Sequence, residues 1–288
     1  MKELNGIIVI NKPKDYTSHD VVAKVKKILN VKKVGHTGTL DPNATGVLPL
    51  LLNQGTKLSK YLIEHDKEYE VTLKLGIKTD TLDGEGTIIE ERKVIWEEYE
   101  EIESVLKSFI GKQEQVPPMY SAIKVNGKKL YEYARKGQTV EITPRVIEIY
   151  KIELQEINKE ENEIKFKVSC SKGTYIRSLC DDIAIRLGTI GYMKELNRTK
   201  VGRFEIGNSI TIQELQEQQE IIGEKVITME DLFKGCSIIN LNKEQLEKFL
   251  NGVKINVKLV DGIYNVYEYR YIGLGIVKDN KLKRDIIL

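Results

Sequence analysis

The stretch GHTGTLDPNATGVLP, residues 35–49, places a single carboxylate, Asp41, in a segment that has neither a helical nor a strand period. Its glycines allow backbone conformations that other residues avoid, and Pro42 restricts Asp41 to extended geometry. Its three threonine hydroxyls can hydrogen-bond the loop backbone. The pattern predicts a rigid loop that presents one carboxylate, although the composition alone fits an ordinary Asp-Pro turn at least as well.

Strands and helices are predicted on both sides of this loop. GIIVI (6–10) predicts a buried strand, and 18–30 predicts a helix with Ser18 as its N-cap. Apolar and polar spacing predicts further helices at 56–65, 96–111, 130–137 and 174–188, the second of them ending at a glycine C-cap. Alternation predicts further strands at 68–76, 119–125, 146–157 and 163–171, with a tight turn at Asn126-Gly127.

The order of these elements defines the expected fold class. Helices and hairpins mix without a strict βαβ rhythm, which predicts an α+β fold with a mixed, mostly antiparallel sheet flanked by helices. The pattern changes near residues 223–240, and from Val253 the chain consists of short strands separated by glycines. We therefore expect a catalytic-size domain over 1–235 and a small C-terminal β-barrel over 236–288.

Composition excludes several classes of protein. The chain has 288 residues, 41% of them hydrophobic and 31% charged, and a formal net charge of only +2. Three cysteines without a C-x-x-C pair argue against a disulfide framework and a cysteine zinc site. The N-terminal apolar run is too short for a signal peptide or a membrane span, so a cytoplasmic protein is expected. A G-x-S-x-G elbow and a phosphate-binding P-loop are both absent from the sequence, and no third ligand stands at a telling spacing from His36 and Asp41.

Two segments are basic although the whole chain is nearly neutral. Residues 121–145 carry a net charge of +4 and residues 165–203 a net charge of +6. Charge alone favours a solvated surface and a surface that binds a polyanion about equally. Tyrosines interleave with these cations, and that combination favours a polyanion with stackable bases; they are Tyr120, Tyr131, Tyr133 and Tyr175.

Long motifs then identify a family. The string GHTGTLDPNATGVLP resembles the signature of the bacterial tRNA pseudouridine-55 synthases, the TruB family. Further pieces match in order and spacing: GIIVINKPKDYTSHDVV, DKEYEVTLKLGIKTDTLDGEG, VPPMYSAIKVNGKKLYEYARKG and CSKGTYIRSLCDDIA. The resemblance is strong over roughly residues 3–205, and the last fifty residues or so resemble a short PUA domain.

The resemblance implies an isomerase that uses one aspartate. Conversion of uridine to pseudouridine breaks the N-glycosidic bond, rotates the uracil and rejoins it through carbon, with no metal or nucleotide cofactor. Asp41 matches the catalytic aspartate, which acts as a nucleophile or removes a ribose proton. The sequence leaves both routes open.

The resemblance also implies a set of residues around the target nucleotide. His36 matches the histidine that fills the space of the flipped nucleotide, and Tyr69 matches the tyrosine that stacks on the uracil. Tyr175 and Arg177 match pocket residues, and Arg177 is expected to pair with Asp41 and keep it ionised.

Two further positions match the family at the substrate site. Leu196 matches a residue whose backbone faces the uracil edge, and Lys12 matches a residue that supports the loop. By pattern alone, His36 would be a loop-packing histidine, and Tyr69 and Leu196 would be core side chains. Arg177 would form a surface salt bridge, which contributes little to stability.

The implied partner is the T-arm of tRNA. Segment 126–145 resembles the insertion, or thumb, that closes over the RNA, and its expected phosphate contacts are Lys128, Lys129, Arg135 and Lys136. We expect the C-terminal domain to bind the acceptor end, and the protein to be a monomer with no membrane contact and no obligatory protein partner. A guide-RNA-dependent pseudouridine synthase and a non-catalytic RNA-binding or RNA-folding protein remain alternatives, and a metal-dependent hydrolase is a distant third.

Overall fold

The computed structural model describes residues 4–63, 65–96, 102–218 and 222–288. The strands are β1 (Gly6–Lys12), β2 (Val34–His36), β3 (Thr45–Leu52), β4 (Lys67–Leu75), β5 (Ile77–Thr79), β6 (Ile88–Glu91), β7 (Gly111–Gln115), β8 (Lys124–Val125), β9 (Lys128–Lys129), β10 (Arg145–Asn158), β11 (Glu163–Cys170), β12 (Gly191–Val201), β13 (Phe204–Glu205), β14 (Ile210–Thr211), β15 (Ser237–Asn240), β16 (Ile255–Asn256), β17 (Gly262–Tyr267), β18 (Tyr271–Lys278) and β19 (Lys281–Ile287).

The α-helices are α1 (Ser18–Ile28), α2 (Ser59–Leu62), α3 (Ile102–Lys107), α4 (Leu130–Ala134), α5 (Ile176–Arg186), α6 (Ile212–Glu217), α7 (Ile222–Lys225), α8 (Met229–Leu232) and α9 (Lys243–Leu250), and 3₁₀ helices span Asn53–Leu58 and Ile206–Asn208. None of the helices in the described part of the chain has the length and apolarity needed to span a bilayer.

A ten-stranded sheet forms the centre of the molecule. Its main path runs β14-β1-β3-β12-β4-β11-β10-β7, with β13 beside β12 and β2 beside β3. The β1–β14 and β3–β12 pairs are parallel, and the other pairs in this sheet are antiparallel. The predicted α+β class with a mixed, mostly antiparallel sheet is confirmed.

The apolar run of β1 is continuous because both faces of this strand are covered. Ile8 and Ile10 pack in a cluster with residues of α1 and α6 on one face. Ile7 and Val9 pack on the other face, in a cluster that also contains Leu274 from the C-terminal sheet. A strand buried on both faces carries no polar alternation, which explains the GIIVI pattern.

The C-terminal strands form a separate five-stranded sheet in the order β15-β17-β18-β19-β16, consistent with a small PUA-like half-barrel. It packs on the main sheet through apolar side chains, and Asp285 accepts a 2.5 Å hydrogen bond from the Tyr61 hydroxyl. Lys60 forms an ion pair with the same carboxylate. The domain boundary at residue 236 stays a prediction.

Several helix boundaries differ from the sequence predictions. The N-cap of α1 is Thr17 rather than Ser18, because Thr17 and Asp20 form a reciprocal capping box. The helix predicted at 56–65 is a 3₁₀ turn followed by the short α2.

The acidic helix predicted at 96–111 is the largest difference. Residues 97–101 lie outside the described residues, and α3 ends at Lys107. The predicted glycine cap is wrong, because Gly111, with φ of 112°, begins β7 and pairs with Ile149 of β10. A strand partner therefore determines the conformation of this glycine.

Candidate active site

A cavity of about 720 Å³ opens between the Asp41 loop, the central sheet and the start of α5. Residues 37–41 form one wall, 120–122 and 172–177 form the others, and Tyr69, Leu196 and Arg198 line it from β4 and β12. Residues from segments far apart in the chain thus meet at one concave site, where ligands usually bind.

The Asp41 loop is held from below by Lys12 and Ser18. The fully buried Lys12 ammonium donates to the carbonyls of Pro13, Tyr16 and Pro42, at 2.9, 2.6 and 3.0 Å. Burial lowers the pKa of Lys12 to about 8. The Ser18 hydroxyl accepts from the Leu40 N–H at 2.9 Å, immediately before Asp41. Lys12 therefore lies beneath the loop and outside the cavity lining. It positions Pro42, the residue that follows Asp41.

Arg198 holds the same loop from the side, and sequence analysis missed it. Arg198 is 1% exposed, and its guanidinium donates to the carbonyls of Val47, Gly38 and Thr39, at 2.8, 3.1 and 3.4 Å. Its charge also acts on the neighbouring Tyr69 phenol and opposes the rise in the pKa of that phenol. The signal available in the sequence was its spacing from Leu196, since residues two apart on a strand share a face.

Asp41 and Arg177 form the expected ion pair at the cavity wall. Arg177 Nε lies 3.1 Å from Asp41 Oδ2. The rest of the guanidinium has other partners: Nη1 lies 3.3 Å from Asp83 Oδ2, and Nη2 donates to the Tyr120 carbonyl at 2.9 Å. Asp83, 4% exposed, was missed, because TDTLDGEG resembles a simple surface turn. Arg177 therefore joins two carboxylates, and its orientation is set from three sides.

Opposing effects act on the Asp41 carboxyl. Removal of water by the surrounding protein raises the pKa of Asp41 above its ordinary value, and the nearby Asp83 carboxylate adds to this increase. The Arg177 guanidinium lowers that pKa but only partly offsets the burial. The Asp41 carboxylate is therefore only partly solvated at the cavity wall and is balanced between desolvation and nearby cations, as suits a group that must react.

Tyr69 and Leu196 belong to the apolar part of the cavity lining. Tyr69 is 6% exposed and Leu196 is 8% exposed. Burial raises the pKa of the Tyr69 phenol to about 12, so it stays protonated. The register of β12 on β4 places Arg198 directly opposite Tyr69, which brings the phenol and the guanidinium together.

Tyr175 and His36 occupy different places. Tyr175 lines the cavity at the N-cap of α5, and its backbone exchanges two hydrogen bonds with the Gln115 amide, at 2.8 and 3.0 Å. The His36 side chain lies outside the cavity lining, edge to face with His19 at a centroid distance of 5.7 Å. Burial lowers the pKa of His36, which favours the neutral ring.

The predicted thumb begins as a hairpin followed by a helix. Asn126 and Gly127, both with positive φ, connect β8 to β9, and α4 follows immediately. Lys129 and Arg135 each lie 5.3 Å from the centre of the Tyr131 ring, which lines the cavity. The basic segment is thus continuous with the cavity wall.

Comparison with known proteins identifies the family. The model described as "TruB family pseudouridylate synthase (N terminal domain)" matches residues 26–176, and "tRNA pseudouridylate synthase B C-terminal domain" matches residues 177–255. Relatives named tRNA pseudouridine synthase B include one from Clostridium kluyveri, 44% identical over 97% of this chain and 98% of its own. Another, from Alkaliphilus oremlandii, is 46% identical over 96% of this chain and 94% of its own.

Solved structures show the same fold. The structure described as "Crystal Structure of a Cbf5-Nop10-Gar1 Complex" contains a chain 26% identical, with a TM-score of 0.70, and the match covers 99% of this chain and 84% of that chain. A chain in "Structure of H/ACA RNP bound to a substrate RNA containing 2'-deoxyuridine" is 25% identical, with a TM-score of 0.69, over 99% and 86%. The match to the family model over more than half of the chain, and the relatives at 44% and 46% identity over nearly all of it, show that the chain belongs to the TruB family of pseudouridylate synthases.

Proposed function

We propose that this protein isomerises uridine 55 in the T-loop of tRNA to pseudouridine. The observation that carries the proposal is the Asp41–Arg177 pair in a cavity whose apolar side is the ring of Tyr69. Relatives named tRNA pseudouridine synthase B support tRNA as the substrate. The reaction is an isomerisation: one C–N bond breaks, one C–C bond forms at the same sugar carbon, and no atom is gained or lost.

Each group in the cavity has a role in this reaction. Asp41 attacks the nucleotide or removes a ribose proton, and Arg177 stabilises its charge. The ring of Tyr69 stacks on the flipped uracil, and the Leu196 backbone faces the uracil edge. Base stacking on an aromatic ring returns about 1–3 kcal/mol, which offsets part of the unstacking cost. His36 lies outside the cavity, where it would fill the space that the flipped nucleotide leaves in the RNA.

The stand-alone mode of action is part of the proposal. The match covers nearly the whole of the C. kluyveri relative, whereas identity to the Cbf5 chain is 26%. We propose a cytoplasmic monomer that needs neither guide RNA nor a protein partner, with the C-terminal sheet on the acceptor end of the tRNA. The test is pseudouridine mapping on an unmodified tRNA transcript incubated with the purified chain alone. Absence of pseudouridine at position 55 would refute the proposal.

Tyr69 provides a test of base stacking. Tyr69→Phe keeps the ring but removes the hydroxyl, whereas Tyr69→Leu removes both; Arg198 lies opposite Tyr69 in the sheet. We expect Leu to lower the single-turnover rate clearly more than Phe, because stacking is the larger contribution. Melting temperatures of both variants serve as the control, since both lose the hydroxyl. Equal rates for Phe and Leu would mean that the ring is not a base platform.

The basic segment provides a test of RNA binding. Changing Lys128, Lys129, Arg135 and Lys136 together to Ala is expected to weaken tRNA binding. Each lost phosphate contact should also lower the slope of log K against log salt by about 0.7–0.9. The chemical step at saturating tRNA should change less, because none of the four side chains lines the cavity.

A matched variant removes the same charge elsewhere. Lys26, Lys27, Lys32 and Lys33 are exposed and also lie outside the cavity lining, so their substitution by Ala is the control. Dissociation constants from low to moderate salt compare both variants with the unchanged protein. Lines of equal slope for the thumb variant and the unchanged protein would show that the four thumb cations are only a solvated surface.

A further inference from the structure

The backbone of His36 is fixed on both sides, but its ring is not fixed by a hydrogen bond at Nδ1. In β2, His36 pairs with Leu50 of β3, and the next N–H, of Thr37, donates to the Pro49 carbonyl at 3.3 Å. The Nδ1 atom of the half-buried His36 ring is buried and has no hydrogen-bond partner among the described residues. Rotation of a histidine ring about its last side-chain bond is broad unless a neighbour restricts it.

His19 is the neighbour that contacts this ring. The two ring centroids lie 5.7 Å apart and the ring planes meet at 81°, the edge-to-face arrangement that aromatic rings prefer. Within the described part of the chain, His36 has no other ring contact. His19 itself is exposed and lies outside the cavity lining. The orientation of the His36 ring therefore depends on His19.

The first turn of α1 holds His19 in place. Thr17 and Asp20 form a reciprocal capping box around it, with hydrogen bonds of 2.9 and 3.1 Å. The adjacent Ser18 hydroxyl accepts from the Leu40 N–H at 2.9 Å, just before the reacting aspartate. His19 is thus carried by a helix start that is fixed in itself and tied to the catalytic loop.

The charge of His36 suits a ring that enters RNA. Burial lowers the pKa of His36, and the nearby His19 and Arg198 side chains lower it further. The neutral imidazole therefore predominates at neutral pH. A neutral ring can pack between bases without the large cost of removing water from an ion.

We infer that His19 is a positioning residue that orients the His36 ring for entry into the space left by the flipped nucleotide. The inference rests on the proposed function, since only a flipped nucleotide leaves that space. His36 contacts the RNA, and His19 acts through His36. A ring that is already oriented in the free protein loses less conformational freedom when RNA binds, and binding is stronger for it.

A double-mutant cycle tests whether His19 acts through His36. His19→Ala should lower the single-turnover rate of pseudouridine formation by about two- to tenfold, the range of one edge-to-face ring pair. In the His36→Ala background the same substitution should have no further effect. An equal loss in both backgrounds would show that His19 acts independently of His36 and would overturn the inference, as would an unchanged rate in His36→Ala.

Two further variants separate the ring contact from charge and stability. His19→Phe keeps the ring and should recover most of the rate lost in His19→Ala; failure to recover would overturn the inference. Lys26→Ala, at an exposed position of α1 outside the cavity lining, is the control and should keep the full rate. All three should keep the melting temperature, because the Thr17–Asp20 cap is intact. A joint drop in melting temperature and rate would show a structural role instead.

Base flipping is measured directly with 2-aminopurine next to the target uridine of a T-arm stem-loop, because this base becomes more fluorescent when it is unstacked. The Asp41→Asn background prevents the reaction, so the signal reports flipping at equilibrium. Adding His19→Ala should reduce the flipped fraction, and adding His19→Phe should restore it. An unchanged flipped fraction in His19→Ala would overturn the inference.

The free protein gives a measurement that does not depend on activity. In His19→Phe the nearby imidazole charge is removed, so the pKa of His36 measured by NMR should rise. An unchanged pKa of His36 would show that the two rings do not interact and would overturn the inference. An active unchanged protein with unaffected His19→Ala overturns this inference alone, whereas an inactive unchanged protein refutes the proposed function itself.

Discussion

Asp41→Asn is expected to abolish pseudouridine formation while tRNA affinity stays within about tenfold, because the isosteric amide keeps the loop but removes the nucleophile or base. The loop itself does not depend on the carboxylate, since Lys12, Ser18 and Arg198 hold its backbone. The measurement is single-turnover pseudouridine formation at saturating tRNA, with binding measured separately. Appreciable turnover by this variant would remove Asp41 from the reaction.

Asp83→Asn is the matched comparison for this prediction. This substitution removes the other carboxylate that pairs with Arg177 but leaves the Asp41 carboxylate in place. We expect partial activity, because Arg177 keeps Asp41 and Tyr120 as partners. Complete and equal loss in both variants would mean that orientation of Arg177, rather than the chemistry of Asp41, limits the reaction.

Arg177→Lys is expected to cost about a hundredfold or more in the single-turnover rate, although it conserves charge. The guanidinium contacts Asp41, Asp83 and the Tyr120 carbonyl through three different nitrogens, and one ammonium cannot reproduce this geometry. A near-normal rate in this variant would show that the orientation of Asp41 does not depend on the guanidinium.

The pH dependence gives a second measurement on the same residue. Burial raises the pKa of Asp41 and Arg177 opposes that increase. As pH falls through this raised pKa, Asp41 becomes protonated and activity is lost, at a higher pH than for an ordinary aspartate. Arg177→Met removes the opposing cation, so its residual activity should be lost at a still higher pH. If activity were lost at the same acidic pH in the unchanged protein and in Arg177→Met, this electrostatic role of Arg177 would be contradicted.

Most of the central fold could be predicted from local patterns. The alternation in β4, the continuous apolar run of β1 and the Asn126-Gly127 turn each depend on a few consecutive residues, and all three are present. The predicted helices at 56–65 and 96–111 were less accurate. Their boundaries depend on tertiary partners, such as the pairing of Gly111 with β10.

The residues of the candidate site also divide into those predicted from local motifs and those that depend on tertiary partners. Asp41, Tyr69, Arg177 and Leu196 were expected at the cavity from motifs that are continuous in the sequence, and all four line it. Asp83 and Arg198 were missed because a buried acid and a buried base resemble surface residues until their partners are known.

The sequence by itself determined that Asp41 stands in a loop, because Pro42 restricts Asp41 to extended geometry and the glycines allow conformations that other residues avoid. Only the tertiary structure decided what surrounds that carboxylate. The register of β12 on β4 sets Arg198 against Tyr69, and the start of α5 brings Arg177 between Asp41 and Asp83. These contacts join residues far apart in the chain, and burial gives them their strength, because charges and hydroxyls interact more strongly where water is excluded.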